Sequence, residues 1–258
     1  MVQSVQRAAR ILRELATHGP RLGVTELADR IGVSKPTVHA LLQTLEAEGL
    51  VRQEKGTSKY LLGMALLRLG NSYLETQELR SHSVAWADTL AERTGEAVWV
   101  AVLDDRHILV VHHAFRPRSG VQIPDLGASV PWNTSALGKS LASFLPSQRQ
   151  RELLEGDLAR LTGHSVVDPV VLADQLEAVR QTGYALEDQE STLGEACIAS
   201  PVFDRSGEPA GAIGVIGPVE RLLSKANRQR HAIAVRDVAT LLSRELGAGR
   251  GVAWRVTD

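Results

Sequence analysis

Residues 25–61 constrain the fold most, because they spell two short helices, a tight turn and a small hairpin in immediate succession. Thr25 is placed to accept a backbone hydrogen bond as the N-cap of a first helix whose apolar face is Leu27, Ala28 and Ile31. Gly32 supplies the left-handed residue that ends it. After the Gly32-Val33 turn, Ser34 caps a second helix with Pro36 in its first turn, where the missing N–H costs no intrahelical bond. Val38, Leu41, Leu42 and Leu45 recur at i, i+3, i+4 and i+7, so they turn inward and leave Pro36, His39, Ala40 and Gln43 facing out. Past Gly49, Leu50-Val51-Arg52-Gln53 and Lys59-Tyr60-Leu61-Leu62 are strand-like runs, and Glu54-Lys55-Gly56-Thr57-Ser58 between them favours a turn. The pattern predicts a winged helix-turn-helix.

The competing reading of such a helix pair is an ordinary hairpin packed in a core. Against it stand the small, polar outer face and the placement of hydroxyls and cations. Ser34, Lys35 and Thr37 open the second helix, and Arg52, Lys55 and Lys59 sit on the hairpin, where phosphates and base edges of DNA would lie. The expected partner is double-stranded operator DNA. Thr37, His39 and Gln43 are expected near base edges in the major groove, and Ser34, Lys35, Lys55 and Lys59 on phosphates. One small winged domain covers limited DNA surface, so at least a homodimer on a near-palindromic site is expected.

At 258 residues the chain is long enough for two domains. Residues 1–60 carry nine Lys or Arg against six Asp or Glu while the whole chain is −1, so the modest basic excess lies at the DNA-facing end. The single cysteine, Cys197, excludes an intrachain disulfide and a cysteine-based zinc finger. No apolar run of about 18 residues and no basic-then-apolar leader is present, so neither a membrane span nor a secretion signal is expected and the default location is the cytoplasm.

Ahead of the motif, residues 4–17 form an amphipathic pattern with Val5, Ala8, Ile11, Leu12 and Leu15 on one side, completing a three-helix core. The DNA-binding domain is expected to span residues 1–62, followed by a helical linker over 63–79, where no proline or Gly/Ser-rich spacer intervenes. From residue 80 to 250 helices and strands alternate. Helices are expected at 81–94, 134–145, 147–155, 172–182 and 227–247, and strands near 97–103, 107–114, 184–189, 195–204 and 210–217. Hairpin connections such as Asp104-Asp105-Arg106 mixed with helical excursions favour an α+β fold with a central antiparallel sheet over a parallel doubly wound one.

Three further blocks carry a resemblance. They are Gly127-Ala128-Ser129-Val130-Pro131-Trp132-Asn133-Thr134-Ser135-Ala136-Leu137-Gly138-Lys139-Ser140-Leu141-Ala142, then Gly183-Tyr184-Ala185-Leu186-Glu187-Asp188-Gln189-Glu190 with Gly194, Cys197 and Ala199-Ser200-Pro201-Val202, and finally Gly211-Ala212-Ile213-Gly214-Val215-Ile216-Gly217-Pro218. Together with the winged helix they make the chain resemble, over nearly its whole length, the IclR family of bacterial transcription regulators. The resemblance implies a GAF-like C-terminal domain that binds a small-molecule effector, assembly as a dimer or tetramer, and control, as a repressor, of a nearby catabolic operon. It also implies an effector site lined by Val130, Ala136, Glu187, Cys197, Gly214 and Ile216. Gly214 and Ile216 stand where the family frequently has hydroxyls, which removes donors and disfavours a small carboxylate ligand. Glu187 adds an acceptor suited to the hydroxyls of a polyol. Leu66 to Leu74, Val111 to Pro117, Val235-Arg236-Asp237 and Leu246 to Arg250 are similar to the branch of the family that regulates glycerol operons in actinomycetes. That likeness points to glycerol or glycerol 3-phosphate as the effector.

Two other classes compete: a small-molecule-binding enzyme with an accessory DNA module, and a structural nucleoid protein. The second fits poorly with the modest basic charge and the pocket domain. For the first there is no Gly-x-Ser-x-Gly elbow, no His-Glu-x-x-His and no complete phosphate loop. Gly138-Lys139-Ser140 looks like the tail of such a loop, but it lacks the earlier glycine and lies in a helical pattern, so it is expected to be a helix-packing element. His112 and His113, adjacent on a strand, point to opposite faces and rarely reach one ion. Gly247-x-Gly249-x-Gly251 follows a helix and is expected to be a tail. Cys197 is either a small buried strand residue, a redox sensor or pocket lining, and the resemblance favours the last. No catalytic residue, metal or cofactor is expected.

Overall fold

The computed structural model describes residues 2–17, 19, 21–117 and 125–249. The chain divides into two compact units between Thr76 and Gln77. Residue 250, the expected end of the second domain, and Gly251 of the terminal glycine string lie outside the described residues.

The first unit contains α1 (Gln3–Thr17), α2 (Val24–Ile31), α3 (Lys35–Ala47), β1 (Val51–Gln53), β2 (Tyr60–Leu62) and α4 (Met64–Glu75). Ile11 and Leu15 of α1, Leu27 and Ile31 of α2, and Val38, Leu42 and Leu45 of α3 share one core with Leu22, Val51 and Tyr60. That is the i, i+3/i+4, i+7 stripe read from the sequence, with Leu41 only partly buried. Gly32 takes the left-handed conformation (φ 67°, ψ 40°) that turns α2 toward α3. The N-cap of α2 is Gly23, not Thr25: the Glu26 carboxylate accepts the Gly23 N–H at 2.7 Å, so the helix opens earlier than expected. β1 and β2 pair antiparallel with Arg52 opposite Leu61, and an isolated bridge from Leu22 to Tyr60 adds a third short edge.

The expected single helix over 63–79 is two elements. α4 stops at Glu75, where the Thr76 hydroxyl donates to the Tyr73 carbonyl at 2.7 Å. Gln77 is extended (ψ 97°) and begins the second unit as the cap of α5 (Glu78–Thr94). Leu79, expected on the linker, is instead buried in the second unit, where its methyl group occupies the space a side chain at Gly211 would take. Burying such a leucine contributes about 1.5–3 kcal/mol to the second unit.

In the second unit, β3 (Ala97–Asp104), β4 (His107–Ala114), β5 (Ser129–Pro131), β6 (Ala185–Asp188), β7 (Glu195–Phe203) and β8 (Pro209–Pro218) form one antiparallel sheet in the order β5-β4-β3-β8-β7-β6. One face is covered by α5 and α10 (Arg228–Glu245), the other by α6 (Ala136–Ala142), with α7 (Ser147–Glu155) and α8 (Pro169–Thr182) outside it; α9 (Val219–Leu222) is a single turn. The α+β fold with a central antiparallel sheet and flanking helices is therefore the one expected. Three short features differ from the expectation, one of them the single-turn α9, which matches none of the expected helices. β5 lies outside the expected strands, because three residues ending in Pro131 carry no alternation, and it is the edge strand, paired only with β4. The helix expected over 134–145 is a 3₁₀ turn at Trp132–Thr134 followed by the shorter α6. Gly138 permits that join, since a Cβ there would lie 2.3 Å from the Trp132 carbonyl oxygen.

Candidate functional site

In the first unit α3 presents Lys35, His39 and Gln43 at four-residue intervals on one exposed face, with Pro36 and Ala40 beside them. Ser34, at the N-cap in extended conformation, does not bond to a helical N–H. Its hydroxyl pairs with that of half-buried Thr37 at 2.9 Å, so the two groups are held together at the start of the helix. Lys55 lies exposed in the β1–β2 turn, whose tight path uses positive φ at Gly56 and Ser58. Lys59 is drawn toward Glu26 at 3.9 Å. The seven residues expected to meet DNA thus lie in the wing turn, on β2's approach and on the outer face and start of α3. The geometry is that of a helix able to enter a major groove while the hairpin reaches its flank.

The second unit holds a cavity of about 200 Å³ on the face of the sheet that α6 covers. The ladder pairs Glu187 with Cys197 and Cys197 with Ile216, and these three side chains line the cavity together. Trp99 of β3 forms a second wall; Ser129, Val130 and Pro131 of β5 and Ser135, the cap of α6, form a third; Ser191 and Thr192 lie on the turn between β6 and β7, and Glu195 opens β7. Of the six residues expected at an effector site, Val130, Glu187, Cys197 and Ile216 line this cavity. Ala136 and Gly214 do not belong to the lining. Ala136 is fully buried in the core behind it, and Gly214 lies in the sheet between Ala199 and Trp99. The hydroxyl donors expected to be missing from β8 are supplied by Ser129, Ser135, Ser191 and Thr192 instead. Those residues come from irregular or very short segments, where hydrophobic period gives no signal.

Glu187 is almost fully buried, and burial pushes its pKa up to about 7 against the opposing effect of the Ser191 and Glu190 N–H groups. Its Oε1 accepts those two donors at 3.1 and 2.6 Å. Near neutral pH the group therefore exists both as carboxyl and as carboxylate, so it can donate as well as accept. Burial and the nearby Glu187 also raise the Cys197 thiol well above its ordinary range, which disfavours the thiolate that redox chemistry requires. His113 Nδ1 accepts the Asp125 N–H at 3.0 Å, and among the described residues no group of three or more His, Cys, Asp or Glu is gathered as a metal site. Gly138-Lys139-Ser140 lies buried inside α6, as a packing element would.

Residues 4–55 match the model of the IclR helix-turn-helix domain, and residues 71–244 match that of the bacterial transcriptional regulator IclR C-terminal domain. The chain belongs to the IclR family. It is 44% identical to the glycerol operon regulatory protein of Streptomyces griseus, over 96% of this chain and 98% of that one. To the protein of the same name from Streptomyces coelicolor it is 42% identical over the same shares. Among solved structures, an IclR transcriptional regulator from Alicyclobacillus acidocaldarius superposes with a TM-score of 0.82 at 27% identity, covering 96% of this chain and 100% of the other. As an IclR-family transcription regulator the chain has a DNA-binding unit followed by a pocket-bearing unit, and no described helix is long and apolar enough to cross a membrane.

Proposed function

We propose that this IclR-family regulator is a cytoplasmic, polyol-responsive repressor of a glycerol-utilisation operon, and that its cavity binds its effector without catalysing a reaction. The observation that carries the effector assignment is the cavity lining: four hydroxyls and the Glu187 carboxyl converge on about 200 Å³ beside the Trp99 ring, and the lining contains no Lys or Arg. A small, uncharged polyol satisfies such a wall, whereas a phosphate ester would enter it beside two carboxyl groups with no countercharge. The similarity to glycerol operon regulatory proteins of Streptomyces supports the same ligand class. Glycerol is therefore the first candidate and glycerol 3-phosphate the second.

In this reading α3 enters the major groove with Thr37, His39 and Gln43 at base edges, while Ser34, Lys35, Lys55 and Lys59 hold phosphates. The unit works as a homodimer, or as a tetramer built from two, because paired winged domains multiply their affinities on a near-palindromic operator. A ligand changes operator affinity only through its differential binding to two arrangements of the protein, so the coupling is reciprocal and of order 1–3 kcal/mol. The test is calorimetric titration of glycerol and of glycerol 3-phosphate into the full chain, with and without an operator selected from random DNA. Binding of glycerol that weakens when operator is present supports the proposal. Binding of the phosphate alone reverses the ligand assignment, and equal affinity with and without operator removes the coupling.

A further inference from the structure

Lys139 and Glu190 are both buried, their side chains 1% and 7% exposed, and they form an ion pair of 2.5 Å. Neither lines the cavity that holds Glu187 and Cys197; both border a separate cleft with Gln175, Val179 and Tyr184, and neither stands among the residues expected to touch a ligand. A pair this deeply buried contributes little to stability, since desolvating two charges cancels most of their attraction, and apolar substitutes often serve as well. Burial pulls the Lys139 ammonium down and Glu190 pulls it back up, as expected of a cation held in place by its partner.

The surroundings of Glu190 show what the pair connects. Its N–H donates to Glu187 Oε1 at 2.6 Å, and its carbonyl accepts the Ser165 hydroxyl at 2.7 Å. Its carboxylate accepts Lys139 from α6 and, at 3.4 Å, the Val166 N–H. One residue therefore ties the strand carrying Glu187, the loop around Ser165 and the helix that Ser135 caps. Ser191, the next residue, lines the cavity and also donates to Glu187.

We propose that Lys139 and Glu190 are positioning residues of the effector cavity: their ion pair locks the 187–192 turn to α6 and so fixes the Glu187 carboxyl opposite Ser135 in ligand-binding geometry. Resting on the reading of this cavity as the effector site, the proposal names what holds its walls in register. Without the pair, the turn keeps its ligand-contacting groups and its backbone bonds to Thr162 and Ser165 but loses its tie to α6.

The test uses the full chain with the paired substitution Lys139→Met and Glu190→Gln, which removes both charges and leaves a carboxamide to accept the Val166 N–H. Lys139→Arg, which retains the cation, is the conservative control. Hydrogen exchange is read without ligand at the Glu190 and Ser191 amides, and glycerol and glycerol 3-phosphate are then titrated by calorimetry. The expected result is a melting temperature close to that of the native chain, exchange at those two amides faster by about tenfold or more, and partial recovery in Lys139→Arg. Any polyol affinity should fall in parallel. Unchanged exchange at Glu190 and Ser191 overturns the proposal. So does a large fall in melting temperature with exchange rising throughout the second unit, which would make the pair an element of the general core. If neither compound binds the native chain while the two amides lose protection as expected, the polyol reading fails and the positioning role stands.

Discussion

Trp99 stands directly opposite Gly214 across the β3–β8 ladder, and Ala199 flanks Gly214 on its other side. A Cβ at position 214 would come within 2.8 Å of the Ala199 Cβ and 2.9 Å of the Ile198 carbonyl oxygen. Restoring a hydroxyl there by Gly214→Ser should therefore overpack the sheet and cost about 1–3 kcal/mol. Chemical denaturation measures the loss. Unaltered stability would mean that the strands yield at no cost.

Gln43 and Lys55 separate sequence reading from charge. Gln43→Ala, on the exposed face of α3, should weaken the selected operator by about 1–3 kcal/mol and leave random DNA unaffected. Lys55→Ala, in the wing turn, should weaken both alike and lower the salt slope by about 1. Lys59 is the less informative probe, because its ammonium already lies 3.9 Å from Glu26. Fluorescence anisotropy across a salt series checks both, and an operator preference that survives Gln43→Ala would show that α3 docks differently.

Glu187 gives stability a pH dependence whose sign follows from its raised pKa. The unfolded carboxyl ionises near 4.5 and the folded one near 7, so between those values the folded state holds the extra proton. This contribution is fully present below about 4.5, is lost as pH rises toward 7 and is absent above it. Its full span is of order 3 kcal/mol. Glu187→Gln should flatten this part of the profile. Urea midpoints at pH 5 and pH 8 test it, and a parallel pH dependence in native and variant chains would place the proton elsewhere.

Cys197 is 3% exposed and its thiol is raised, so thiol reagents should reach it only when the sheet opens. Labelling should be slow in the native chain and rapid in denaturant. A bound effector should slow it further, because a ligand that stabilises the folded state suppresses opening. Fast labelling in native buffer would contradict the packed wall.

The helix-turn-helix was readable from sequence because Leu27, Ile31, Val38, Leu42 and Leu45 keep helical period and Gly32 punctuates them. The sheet was readable for a similar reason, since Ala97–Asp104 and His107–Ala114 are long β-rich runs on either side of a short turn. The cavity residues Val130, Glu187, Cys197 and Ile216 were legible only through the family resemblance of the blocks that hold them. Ser129, Ser135 and Thr192 meet there through a three-residue strand, a helix cap and a turn, and no local pattern announces that convergence. The break after Glu75 was hidden too, because a threonine hydroxyl bonded to the Tyr73 carbonyl and a Leu79 buried in the next unit leave no mark on the apolar pattern.

The crowding of Gly138 against Trp132 also bears on how short motifs are interpreted. Any larger residue at 138 would strike the Trp132 backbone, and the lysine that follows has its amine committed to Glu190. Gly138 and Lys139 of the Gly-Lys-Ser string at 138–140 therefore meet a steric demand and a buried-charge demand, neither of which has to do with nucleotides. Pattern searches that score these three letters as phosphate recognition would be detecting the tightness of a helix start.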